Sequence, residues 1–268
     1  LIEQDYLVDT KKEASAGLGR NPVGLAISPR APRYAGVQVH REGARAVLCD
    51  MQANILKSEE VWRSYGSGEE LMESVYGLLD RVLEQEDHVA GIGICSIGPV
   101  SIKEGKIARP LYFNNIGNIE IRRLIEERYH LPGFFDHDNQ SAVQAEQLFG
   151  SGRGYQDVLL VSIGGGVGCG ILVDGKRVHS FLGYAPEIGH ISIDYQGEPC
   201  VCGNVGCLEK YVNTWTMMRR FREATGLDRS YREFCRMDSD PRIDAVMRDM
   251  IRKLTTGILS VLNIMNSQ

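Results

Sequence analysis

From Tyr34 onward, short apolar runs alternate with turn residues in a pattern that predicts strands first and helices second. "RYAGVQVH", "ARAVLCDM" and a weaker "QANILKS" are separated by "REG" and "MQAN", which predicts a three-strand meander. Leu71, Met72, Val75, Leu78, Leu79, Val82 and Leu83 then recur at helical spacing behind the start signal "SGEE". The apolar run "HVAGIGICSIGP" predicts a buried strand entering a tight loop at Gly98 and Pro99. A helix capped by Asn118, carrying Ile121, Leu124 and Ile125, leads to "GFFDHD", a strand that ends in the carboxylates Asp136 and Asp138. The order βββαβαβ then begins again, because "DVLLVSIG", "GCGILVDG" and "KRVHSFLG" predict a second meander with Asp174-Gly175 as a hairpin turn. Pro241 to Met265 reads as one long helix with Val246, Met250, Leu254, Ile258, Val261 and Leu262 on one face. Two halves that open alike predict a duplicated α/β architecture with a cleft between them; the order of elements, not a sequence repeat, supports it.

Composition narrows the function classes. The 268 residues are 43% hydrophobic and 24% charged, ordinary globular material with enough chain for two domains. A formal charge of −5 leaves no basic footprint for nucleic acid, so any DNA contact must come from another segment. No apolar run approaches the roughly 18 residues of a membrane span, and the start "LIEQDYLVDTKK" has no signal-peptide layout; the expectation is a soluble cytoplasmic fragment. Cys49, Cys95, Cys169 and Cys235 are scattered among apolar or helical residues, which predicts packing rather than disulfides.

The remaining three cysteines carry chemistry. In "GHISIDYQGEPCVCGNVGCLE", His190, Cys200, Cys202 and Cys207 form H-x9-C-x-C-x4-C, with Gly197, Gly203 and Gly206 letting the backbone fold tightly around an ion. Three thiolates and one imidazole suit tetrahedral zinc, and four protein ligands close the site, so the ion is expected to pin a loop rather than activate water. Glu187 lies three residues before His190 and Glu209 two after Cys207. An ionised glutamate only accepts hydrogen bonds, which suits the hydroxyl donors of a sugar, and equally suits a solvated surface. Asp138, at a strand's C-terminal end, fits either a helix cap or a general base toward a hydroxyl.

Taken together, "GIGICSIGPV", "FDHDNQSAVQAE", "PEIGHISID" and "CVCGNVGCLE" resemble the ROK family of repressors, open reading frames and kinases. The resemblance implies a duplicated ribonuclease-H-like, actin-like ATPase fold with two lobes and a sugar cleft. It implies zinc on His190, Cys200, Cys202 and Cys207, a sugar held by Asp138, Glu187, His190 and Glu209, and Gly98 and His137 beside it. In that family the histidine both binds zinc and faces the sugar. The resemblance also implies domains at 1–30, 31–145 and 146–268, the first being the wing and exit segment of a truncated winged helix, carried by "GLGRNP", and the last cut short at its C-terminus.

Departures from the family pattern divide its kinases from its repressors. Where the kinases resemble one another in an Asp-x-Gly-Gly-Thr turn for ATP, this sequence reads Gln38, His40, Arg41 and Glu42. Side chains and a negative charge then stand where backbone should approach phosphate, so ATP and magnesium binding are expected to be lost. His137 replaces the usual Asn, Gln140 a following Asn, Pro186 a Gly and Gly165 a Thr. The resulting expectation is a sugar-responsive regulator, of the xylose or N-acetylglucosamine repressor type, that reaches operator DNA as a homodimer through a winged helix whose recognition helix this chain lacks. An ATP-dependent sugar kinase with Asp138 as base, or a sugar-binding scaffold, is the alternative.

Overall fold

Strand and helix placement follow from the two periodicities, and a computed structural model describes residues 1–10, 24–110, 113–114, 116–179, 185–237 and 239–265. The chain divides into two compact units, Leu1–Asp138 and Asn139–Gln268.

The first unit opens on an antiparallel pair, β1 (Leu7–Thr10) and β2 (Gly24–Ile27). The expected meander follows as β3 (Arg33–His40), β4 (Gly43–Cys49) and β5 (Ile55–Trp62), the last longer than its weak pattern suggested. Helix α1 (Gly68–Leu83) starts where Ser67 accepts the Glu70 backbone N–H, and its Leu71, Val75, Leu78, Leu79 and Val82 are buried in one core with Val37, Val39, Ala46 and Leu48. Strand β6 (Val89–Ser96) pairs in parallel with β3; a small hairpin, β7 (Val100–Ser101) with β8 (Lys106–Ile107), and helix α2 (Ile121–Tyr129) precede β9 (Gly133–His137). The sheet order is β5-β4-β3-β6-β9. Asn118 does not cap α2: it takes a left-handed turn at φ 57°, Ile119 bridges to Ile107, and Glu120 is the residue at the helix start. Because β3, β6 and β9 run parallel, with Val39 opposite Ser96 and Ser96 opposite His137, their C-terminal ends share one sheet edge. Ligand sites of open α/β sheets form at such an edge.

In the second unit, α3 (Asp138–Phe149) lies on the meander of β10 (Val158–Ile163), β11 (Val167–Val173) and β12 (Lys176–Arg177). Asp174 and Gly175 both have positive φ and make the expected hairpin turn. Strand β12 is only two residues long, and 180–184 of the third predicted strand lie outside the described residues. A Cβ at Gly170 would stand 2.1 Å from the Asn139 carbonyl, so this glycine lets α3 approach β11. Helices α4 (Glu209–Val212), α5 (Thr214–Thr225), α6 (Tyr231–Cys235) and α7 (Pro241–Met265) complete the unit, with Leu208, Phe221, Phe234, Met250 and Val261 in its core. Among the described residues, no helix is long and apolar enough to cross a membrane.

Candidate metal and ligand site

The metal cluster is assembled by a loop that folds back on itself. Ile193 donates its N–H to the Gly206 carbonyl (2.9 Å), Gly206 donates to Glu198 (2.8 Å), and Cys200 donates to Asn204 (2.8 Å). Gly206 sits at φ +66°, and a Cβ there would fall 1.7 Å from the Asp194 carbonyl oxygen, so only glycine fits. These bonds bring His190, Cys200, Cys202 and Cys207 together with all their donor atoms within 4.8 Å of one another.

The cluster's dimensions match one ion. Cys200 Sγ is 3.6 Å from His190 Nδ1, and Cys202 Sγ is 3.6 Å from Cys207 Sγ. A tetrahedral zinc, with bonds of about 2.3 Å to sulfur and about 2.0 Å to nitrogen, sets neighbouring ligands roughly 3.5–3.8 Å apart. Cys200 and Cys207 are buried and Cys202 is exposed. Burial and the adjoining Cys200 and Cys202 push the Cys207 thiol up to about 12. Cys202 is drawn below the usual thiol range; its slight burial opposes this, but the Asn204 backbone and the neighbouring thiols outweigh it. The donor set therefore fits zinc, and with four protein ligands an ion held there would supply structure rather than chemistry.

Other candidate residues are held around the same loop. Glu187 is exposed, and its carbonyl accepts the His190 N–H (3.0 Å) across the single 3-10 turn Ile188–His190. Glu209 opens α4 two residues after Cys207, and its Oε2 accepts the Val167 N–H at 2.9 Å. A Cβ on Gly189 would lie 2.2 Å from the Val167 carbonyl, so both backbone groups of Val167 are in use: its N–H holds Glu209, and its carbonyl closely backs the "EIGH" turn. Cys169 Sγ reaches the Pro186 carbonyl at 3.5 Å, and burial raises its thiol to about 11. Of the four scattered cysteines expected to pack, Cys235 is instead exposed, since α6 buries only Phe234.

In the first unit, Gly98, Asp138 and the β3–β4 turn follow the C-terminal ends of the parallel strands. The Gly98 loop is held by Ile97 N–H to Val39 O (3.2 Å) and Ala108 N–H to Pro99 O (3.0 Å). Asp138 is the first residue of α3 rather than its cap, and its Oδ1 lies 3.1 Å from His137 Nδ1. His40 packs on Trp62 with ring centroids 4.8 Å apart, and burial lowers its pKa although Glu42, Glu60 and Asp138 pull it upward. Sequence reasoning missed Val167, whose role is backbone contact across long separations and leaves no residue-type signal.

The model of the ROK family matches residues 34–268. The xylose repressor of Bacillus subtilis (strain 168) is 25% identical over 223 residues, covering 82% of this chain and 57% of the repressor. The chain thus spans little more than half the length of that relative. A solved ROK family transcriptional regulator, described as a homologue of the E. coli Mlc protein, aligns over 99% of this chain and 71% of its own with a TM-score of 0.80 at 24% identity. A ROK family glucokinase from Streptomyces griseus, solved with glucose and AMPPNP, aligns over 88% of this chain and 80% of its own with a TM-score of 0.75 at 25% identity.

Proposed function

This chain belongs to the ROK family, and from that membership we propose that it is the effector-binding part of a sugar-responsive transcriptional regulator. The observation that carries the reading is the turn between β3 and β4. Where a phosphate would need glycine backbone, His40, Arg41 and Glu42 present side chains, and Trp62 covers the His40 ring. Gly43, the one glycine there, is closed off because a Cβ on it would stand 1.9 Å from the Val61 carbonyl. Glu42 adds a charge that repels an anion. Asp138, Glu187, Glu209 and the metal loop keep the family pattern, with His137 and Pro186 departing beside them, while the nucleotide turn does not keep it.

In this reading Asp138 of the first unit accepts from a sugar hydroxyl, with Gly98 and His137 contributing from the same unit, and Glu187 and Glu209 of the second unit are acceptors as well. Glu209 has one oxygen committed to Val167, which fixes how the other is presented. His190 turns Nδ1 toward the cysteines, so its Nε2 is left as a donor to complement the carboxylates. Zinc, when bound, keeps this loop in one shape. The β1–β2 hairpin is the wing of a winged helix that engages operator DNA as a homodimer. In support, residues 1–33 precede the family match, and the regulator structure covers 99% of the chain against 88% for the glucokinase. Sugar must bind the DNA-competent and released arrangements unequally, by about 1–3 kcal/mol.

Retention of Asp138 at a parallel strand's end favours a second reading, a sugar kinase with that carboxylate as base. The deciding experiment is fluorescence anisotropy of the full-length protein on its own upstream DNA, titrated with glucose, xylose and N-acetylglucosamine at fixed salt. Release by one sugar, with no ATP-dependent phosphorylation of it, is the expected outcome; failure to bind DNA at any salt, with phosphorylation abolished by Asp138→Asn, establishes the kinase instead.

A further inference from the structure

His137 stands where the resemblance expects an asparagine, and the structure gives it an occupation. Its side chain is 6% exposed, that of Asp138 is 18%, and Nδ1 lies 3.1 Å from Asp138 Oδ1. Its backbone N–H is held by Asp136 Oδ1 at 2.7 Å, and its position in β9 is fixed opposite Ser96. The backbone that carries the ring is therefore held, and the ring itself meets Asp138.

Two consequences follow from elementary chemistry. A carboxylate oxygen only accepts, so this contact requires the proton on Nδ1. A donor that bonds the ionised form of a carboxylate also makes it a weaker base. Histidine Nδ1 and asparagine Nδ2 are each two bonds beyond Cβ, whereas the glutamine amide nitrogen is three. The exchange of Asn for His thus keeps a donor at one place while the residue type changes.

We propose that His137 is a positioning residue, whose Nδ1–H holds the Asp138 carboxylate as a fixed, weakly basic acceptor for a sugar hydroxyl. This rests on the reading that Asp138 contacts the sugar. It deepens that reading by explaining how a retained aspartate grips a hydroxyl without withdrawing its proton, as suits a receptor that releases its ligand unchanged. The inference also assigns His137 to act through Asp138 rather than by its own contact.

The test is calorimetric titration of glucose, xylose and N-acetylglucosamine into the wild-type chain and into His137→Asn, His137→Gln and Asp138→Ala, each checked for an unchanged melting temperature. For the sugar that binds, His137→Asn is expected within about threefold of wild type, His137→Gln at least about tenfold weaker, and Asp138→Ala without binding. Wild-type affinity in His137→Gln beside loss in Asp138→Ala overturns the positioning role and leaves the sugar reading standing. Unchanged binding in Asp138→Ala, or no binding of any of the three sugars, overturns the sugar reading and the proposal with it. A measurement that needs no variant to fold is the histidine ¹⁵N spectrum of the wild type: a proton on Nδ1 of His137 is expected, and an Nε2–H tautomer overturns the contact directly.

Discussion

Gly206→Ala separates a loop that is built around a metal from one that merely contains ligands. At φ +66° an L side chain costs about 1–2 kcal/mol. The new Cβ would also lie 1.7 Å from the Asp194 carbonyl oxygen and 2.6 Å from its carbon, both backbone atoms that cannot swing aside. Relief requires the Ile193–Asp194 backbone to move, which breaks the Ile193 N–H to Gly206 O bond at about 1 kcal/mol and strands its partners. The sum is about 2–3 kcal/mol, and since the loop and its ion form together, it appears as zinc affinity lowered at least about thirtyfold. Gly203 is the internal control: it has φ +92° but nothing within 4 Å, so Gly203→Ala is expected to cost only the backbone share, roughly a tenfold loss. Chelator competition with zinc quantified by mass spectrometry measures both. Gly206→Ala holding zinc within threefold of wild type, or the two variants behaving alike, would refute the account of how this loop is closed.

Three further outcomes are expected. Glu209→Ala leaves the N–H of buried Val167 unpaired and should destabilise by about 1–3 kcal/mol in thermal melts, whereas Glu209→Gln still accepts that bond and should stay within about 1 kcal/mol. Gly170→Ala drives a Cβ into the Asn139 carbonyl and Val143 and should lower the melting temperature by the equivalent of about 2–4 kcal/mol; an unchanged melt refutes the close approach of α3. Hydrogen bonds from Arg242 hold the Asp240 carboxyl down at about 2 from an ordinary 3.8, so its contribution is present above about pH 4 and is lost as pH falls toward 2; acid titration of the wild type against Asp240→Asn should show a steeper loss in the wild type over that window.

How far the fold could be read depended on whether a segment's own pattern decided its structure. The first meander and α1 were legible because apolar alternation and the Ser67 start signal point the same way. Helix α7 was legible because its apolar face repeats over 25 residues. Asn118 misled because left-handed turns and caps favour the same residue, and the bridge of Ile119 to Ile107 comes from outside the segment. The pair β7 and β8, two residues each, is too short to carry a period. Helix α6 went unread although Ser230 and Glu233 form a reciprocal capping box, because only Phe234 is buried behind it. The clustering of His190, Cys200, Cys202 and Cys207 was legible from spacing, since they occupy one continuous stretch. The seat of Glu209 and Gly189 on Val167 was not, because it joins residues far apart in sequence.

Considered as polymer, the His190–Cys207 cluster is a cross-link. It closes a loop of about 18 residues, and a covalent bridge over that span would remove about 3 kcal/mol of chain entropy from the unfolded state. A metal would perform the same tethering with no sulfur–sulfur bond, provided its three thiolate ligands stay reduced. Its strength is set instead by the free concentration of the ion and by protons competing for the thiolates. The rigidity of the loop that carries Glu187 and Glu209 is therefore adjustable from solution, by an agent that touches neither glutamate.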